Sequence, residues 1–242
     1  MIAEIQPVGD LALNVEFAEE ISPAVNAQIR AFTAALEAAN LPGIVEYVPT
    51  YRSVTVHYRP EAILYGELKA QLTALLSDLT AEGTAPAEVI ELPVCYGGEM
   101  GPDLSFVARH SGLAEEEVIR IHSSAEYLVY MLGFTPGFPY LGGMDERIAT
   151  PRLEKPRTRI PAGSVGIAGA QTGAYPLESP GGWQLIGRTP VRLYDPQREQ
   201  PILLRAGQFV KFTPIGERDY REIGAEVERG SYRCAVCRHS EH

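Results

Sequence analysis

Apolar positions along the first third of the chain alternate between two periods. Residues 11–17 (LALNVEF) alternate apolar and polar, which predicts a half-buried strand. Ser22-Pro23 then offers an N-cap and a proline at the first helical position. Val25, Ile29, Phe32, Leu36 and Ala39 follow at helical spacing, until Pro42-Gly43 stops the run. Residues 44–49 and 53–58 read as two strands joined by a tight connection at Tyr51-Arg52. Leu64, Leu68, Leu72, Leu75 and Leu79 predict a second amphipathic helix. After a linker-like stretch at 82–86, residues 88–94 read as another strand. The order β-α-β-β-α-β is the split pattern of a ferredoxin-like domain. Its last strand either closes that sheet or leads into a second domain, with the boundary near 83–90 and domains at 1–85 and 86–242.

The pattern then changes. Asp103 stands where it would cap a short helix over 104–110, and 114–121 (AEEEVIRI) predicts another, with its acids in the favourable first turn. From Tyr127 onward only short extended runs are found: 127–132, 164–168, 183–187, 191–194, 201–204 and 209–212. Turn residues separate them at short intervals, which predicts an antiparallel barrel or sandwich rather than alternating β-α units. The fold class is therefore α+β.

Composition sharpens this picture at one place. Residues 133–187 hold 11 Gly and 7 Pro, so no ordinary helix survives there. The chain carries a formal net charge of −10, and residues 1–85 hold 11 acids against 4 bases. That balance excludes a nucleic-acid backbone and an anionic membrane surface as natural partners. There is no run of 18 or more apolar residues for a spanning helix and no basic-then-apolar leader. Three cysteines cannot all pair, a count that suits a reducing cytoplasm.

The Gly/Pro window also carries the candidate chemistry. GFTPGFPYLGG (133–143) and the run from Pro151 to Pro190 set Phe134, Phe138, Tyr140, Tyr175 and Trp183 on stiff loops. Arg152, Lys155, Arg157 and Arg159 form a basic cluster suited to a carboxylate or phosphate, with the aromatics packing a small ring. The structural alternative is a set of barrel corners, with buried aromatics and arginines paired to Asp145, Glu146 and Glu154. GSVGIAG (163–169) has the look of a phosphate loop, but no Lys-Ser/Thr pair follows it and no strand–turn–helix context surrounds it. His122 offers proton transfer near neutral pH, or a helix C-cap. Ser164 lies outside any nucleophile elbow. Cys234 and Cys237, with His239, have metal-like spacing but form one pair only, and no metal is assigned.

Several of these segments are similar to one family. The stretch from His122 to Gly143, the stretch from Pro151 to Trp183 and the N-terminal VGDLALNVEF resemble the 5-oxoprolinase B-subunit family, also called allophanate hydrolase subunit 1, which includes an inhibitor of a sporulation histidine kinase. The resemblance implies an α/β N-terminal domain followed by a cyclophilin-like antiparallel β-barrel. It implies an ATP-dependent 5-oxoprolinase, opening the lactam of 5-oxo-L-proline to L-glutamate, in which this chain works with subunits A and C. On that basis His122 is expected to shuttle a proton and Arg152, Arg157 and Arg159 to supply cations. Gln171, Thr172 and Tyr175 are expected to orient the substrate. Phe134, Phe138, Tyr140 and Trp183 would wall the site or meet a partner. Arg157→Ala is expected to lower activity without unfolding the chain. The competing expectation is a regulatory protein that binds a sensor histidine kinase.

Overall fold

The computed structural model describes residues 3–79 and 88–239. The chain divides into two compact units, Met1–Ala85 and Pro86–His242.

In the first unit, β1 (Glu4–Val8) and β2 (Ala12–Glu16) form a hairpin, followed by α1 (Pro23–Ala39), β3 (Ile44–Pro49), β4 (Ser53–Tyr58) and α2 (Tyr65–Ser77). Ser22 caps α1 by accepting from the Val25 N–H at 3.3 Å, and Pro23 is its first residue. The helix ends at Asn40 in the left-handed region (φ 43°), ahead of the Pro42-Gly43 stop. Every pairing in the sheet is antiparallel, in the order β1-β2-β4-β3. Leu13, Val15, Val54 and Val56 point to one face, where they share a core with Ile29, Phe32, Leu68 and Leu72.

This arrangement corrects the ferredoxin-like expectation. The sixth element, at 88–94, is absent from this sheet. The place beside β2 is taken by β1, an edge strand (EIQPV) in which only Ile5 is buried, too little apolar alternation to be read.

The predicted strand at 88–94 is instead the middle of the second unit. There β5 (Glu88–Tyr96) is followed by α3 (Leu104–Ser111), α4 (Glu115–Ser124), β6 (Glu126–Leu132) and β7 (Pro139–Gly142). Then come β8 (Arg157–Ile160), β9 (Ser164–Ala168), β10 (Gln171–Ala174), β11 (Ser179–Gly181), β12 (Gln184–Arg188), β13 (Phe209–Ile215), α5 (Glu217–Glu228) and β14 (Val236–Arg238). The large sheet runs β10-β9-β12-β5-β13-β6-β7, with β14 on β5, while β8 and β11 form a separate ribbon. Its two ends approach each other, for a Cβ on Gly173 of β10 would lie 3.4 Å from the Pro139 carbonyl oxygen of β7. The sheet is thus a nearly closed barrel around Leu92, Val94, Val129, Val165, Ile167, Ile186, Val210 and Phe212.

It is not wholly antiparallel, because β13 runs parallel to β5 in register from Phe209↔Val89 to Ile215↔Cys95. Two further expectations change. Residues 191–194 and 201–204 form no strands, only the isolated bridge Tyr194↔Ile202, although Leu193 and Leu204 are buried in the core. Pro190, Pro196 and Pro201 interrupt any ladder there. Conversely, α5 gave no periodic signal because only Val227 of its twelve residues is buried. Exposed Arg218–Glu222 and Glu217–Arg221 pairs support it instead, at 2.8 and 3.5 Å.

The C-terminal thiols do not converge. Cys234 packs against the barrel core, with burial pushing its thiol up to about 11, whereas Cys237 is exposed on β14. His239 stacks on Phe209 with centroids 3.8 Å apart and pairs with Glu126 at 2.6 Å.

Candidate functional site

The glycine run at 163–169 builds a floor rather than a phosphate loop. Its central residues are β9, fully buried and paired on both edges with β10 and β12. Gly166 and Gly173 face each other across β9 and β10, so their missing side chains open the same patch of the sheet's outer face. Trp183 occupies that patch. A Cβ on Gly166 would meet the Trp183 Cβ at 3.3 Å, and one on Gly173 would meet Cζ3 at 3.2 Å.

Above this floor stands an aromatic cluster centred on Phe138. Its ring lies 5.5 Å from Tyr140, 5.5 Å from Tyr175 and 5.7 Å from Trp183, all edge-on, as quadrupolar rings prefer. Phe138, Tyr175 and Trp183 are buried, with Tyr140 half-buried at the margin. Phe134 touches Phe138 at 5.7 Å but is 67% exposed. It also holds a left-handed backbone (φ 66°), which costs a non-glycine residue roughly 1–2 kcal/mol.

The Tyr175 hydroxyl projects toward Gly181, where a Cβ would lie 2.5 Å from it, and has no hydrogen-bond partner among the described residues. Burial pushes its pKa up to about 12, against the opposing pull of Arg152 and Arg157, so the phenol stays a neutral donor. Ser179, on the same strand as Gly181, buries a second unpartnered hydroxyl. Gly181→Ala should therefore displace Tyr175. The chain has one tryptophan, so a shifted Trp183 emission spectrum and roughly 2 kcal/mol lost in chemical unfolding would register it.

The basic cluster separates into two kinds. Arg152 and Lys155 are exposed and make no ion pair among the described residues, and Arg152 lies close enough to bias the Tyr175 phenol. Arg159 is exposed and pairs with Glu178 at 2.7 Å. Arg157 is committed inside the protein: Nη2 donates to Asp103 Oδ1 at 2.7 Å and Nη1 to the Trp183 carbonyl at 3.2 Å. The second oxygen of Asp103 accepts from the Leu185 N–H at 2.6 Å. Asp103 therefore stands at the start of α3 without capping it, tying that helix to β8 and β12. None of these arginines pairs with Asp145, Glu146 or Glu154; Asp145 holds Arg147 instead.

His122 and Thr172 belong to a different place. His122 is fully buried in the last turn of α4, stacked on Phe212 with centroids 4.7 Å apart. The Thr172 hydroxyl gives its single proton to the Gly166 carbonyl at 3.0 Å, so it accepts from His122 Nε2–H at 2.8 Å. Nδ1 then accepts from the Tyr96 hydroxyl at 2.8 Å. Burial lowers the imidazole pKa to about 3, so it is neutral and both nitrogens are occupied. Thr172 and Ala174 face the barrel interior, while Gly173 between them faces the aromatic cluster.

The structure places three of the expected site residues away from the aromatic surface. His122 is buried in the barrel interior, bonded to Tyr96 and Thr172. Thr172 is its partner and points away from that surface. Arg157 is an internal clamp. Gln171, at the start of β10, is half-buried. What remains together is Arg152, Tyr175, Tyr140, Phe138 and Trp183: an aromatic wall with the neutral Tyr175 phenol and a guanidinium that makes no ion pair among the described residues. Asp103 and the three glycines were missed as site builders, since their partners are remote in sequence. Among the described residues no cluster of His, Cys, Asp or Glu could hold a metal, and no helix is long and apolar enough to cross a membrane.

The profile described as carboxyltransferase domain, subdomain C and D, matches residues 3–204. The 5-oxoprolinase B-subunit of Bacillus subtilis is 48% identical over 233 residues, covering 92% of this chain and 97% of that protein. The chain belongs to the 5-oxoprolinase B-subunit family. Among solved structures, TTHA0988 aligns with a TM-score of 0.75 and 42% identity, over 84% of this chain but only 40% of its own. The Kluyveromyces lactis urea amidolyase shares the fold at a TM-score of 0.79 and 24% identity, over 97% of this chain and 16% of its own. In this member of the B-subunit family, β13, α5 and β14 lie beyond the matched profile.

Proposed function

We propose that this chain is the B-subunit of a multi-subunit, ATP-dependent 5-oxoprolinase acting with subunits A and C. The reaction opens 5-oxo-L-proline with two waters and ATP, giving L-glutamate, ADP and phosphate. Transfer of the terminal phosphoryl group to the lactam oxygen releases ADP and activates the ring carbon. One water adds to that carbon and the C–N bond breaks, the nitrogen taking up a proton as the amine. The second water hydrolyses the resulting acyl phosphate to the carboxylate and free phosphate. The observation that carries the reading to a site is the pairing of an unpartnered neutral phenol with an unpaired guanidinium on an aromatic wall. In this reading Arg152 holds the substrate carboxylate, Tyr175 donates a hydrogen bond to it, and Phe138, Tyr140 and Trp183 flank the ring.

ATP is a substrate of the complex in this reading. The buried strand β9 does not fit a nucleotide's phosphates, since its N–H groups serve the sheet ladder. No phosphoryl step is assigned to this chain. The cyclophilin-like description of the barrel concerns fold alone and brings no isomerase activity.

Reconstitution with subunits A and C, omitting each in turn, tests the subunit assignment through 5-oxoproline-dependent ADP release. Within the active complex, Arg152→Ala should raise KM for 5-oxoproline about tenfold while leaving the unfolding midpoint unchanged. An unaltered KM removes Arg152 from the site.

A further inference from the structure

The loop at 133–138 holds a strained backbone at Phe134, whose ring contact among the described residues is the edge-on one with Phe138. Phe134 holds a left-handed backbone that glycine would adopt freely, yet it turns most of its ring to solvent. The loop around it is closely braced. Gly133 N–H donates to the Phe138 carbonyl at 3.1 Å, Thr135 N–H to Gly133 at 2.8 Å and Phe138 N–H to Thr135 at 3.1 Å. Phe138 supports the ring from below, and Gly137 packs against Pro176 and Tyr194, with Leu177 exposed next in the chain. A rigid, strained loop presenting one aromatic ring beside further apolar groups has the form of a binding anchor.

The occupant is indicated by how this fold is carried elsewhere. In TTHA0988, 42% identical, the matched unit is 40% of the chain, so most of that chain is further protein covalently attached to it. In the Bacillus subtilis relative the matched unit is 97% of the protein, so there a counterpart of that further protein would have to be met through a surface presented to solvent.

We propose that Phe134 is the anchor by which this chain docks a separate subunit equivalent to the remainder of the TTHA0988 chain, its ring entering an apolar socket on that subunit. This deepens the subunit reading above and rests on it. Phe138, Tyr140 and Trp183 then serve the site behind the anchor.

The test measures binding of the full chain to that subunit from the same organism, purified separately. Three forms are compared: wild type, Phe134→Tyr and Phe134→Gly. Wild type should bind, Phe134→Tyr should stay within about threefold, and Phe134→Gly should bind roughly 30-fold more weakly or worse. The glycine form should keep or raise its thermal midpoint, because it relieves the left-handed strain. If Phe134→Gly binds like wild type, the anchor is refuted and the subunit reading stands. Wild type failing to bind would overturn both. A glycine form that unfolds would refute the anchor by making Phe134 a fold residue.

Discussion

Acidification from pH 6.5 to 3 should remove on the order of 5 kcal/mol from the stability of the barrel unit through His122 alone. Its folded pKa is lowered to about 3 by burial, from an ordinary 6.5. Between those values the unfolded chain binds a proton that the native state refuses, so stability rises with pH by about 1.4 kcal/mol per unit. The contribution is whole above 6.5 and lost as pH falls toward 3. Urea titrations at fixed pH values would show this slope, and His122→Phe should abolish it. That variant also strands the Tyr96 hydroxyl and removes the bond Thr172 accepts, so it should start roughly 2–4 kcal/mol less stable at pH 7. A pH slope identical in the two proteins would show that His122 is protonated in the fold.

Arg157→Ala should destabilise the barrel unit by roughly 3 kcal/mol, because it leaves the Asp103 carboxylate largely enclosed with only the Leu185 N–H. The Asp103→Ala/Arg157→Ala double variant should recover part of that loss, since removing both charges is less costly than stranding one. Chemical unfolding of the two single variants and the double supplies the cycle. Strict additivity of the single losses would exclude the clamp. The expectation from sequence was the reverse, lost activity in an intact fold. Nothing local to Arg157 signals a partner 54 residues away.

Much of the candidate site was visible as residue types. The Gly/Pro window holds the aromatic cluster, and Phe138, Tyr140, Tyr175 and Trp183 do meet. What could not be seen was direction. Thr172 and Gly173 are adjacent in the chain yet serve opposite faces of the sheet, one holding His122 and the other flooring Trp183. Strand alternation says that they differ, but not which face is the barrel interior.

Helix periodicity and capping residues by themselves determined α1 and α2 and most strands with apolar alternation, since those depend on neighbours within a few positions. The long motifs also determined the family. Only tertiary structure decided that the strand at 88–94 leaves the first sheet for the second, that β13 joins it in parallel, and that His122 and Arg157 face inward. Each of these outcomes depends on pairing between residues from tens to 120 positions apart. Local propensity carries no information about such partners, and the burial that selects them exists only once the barrel has closed.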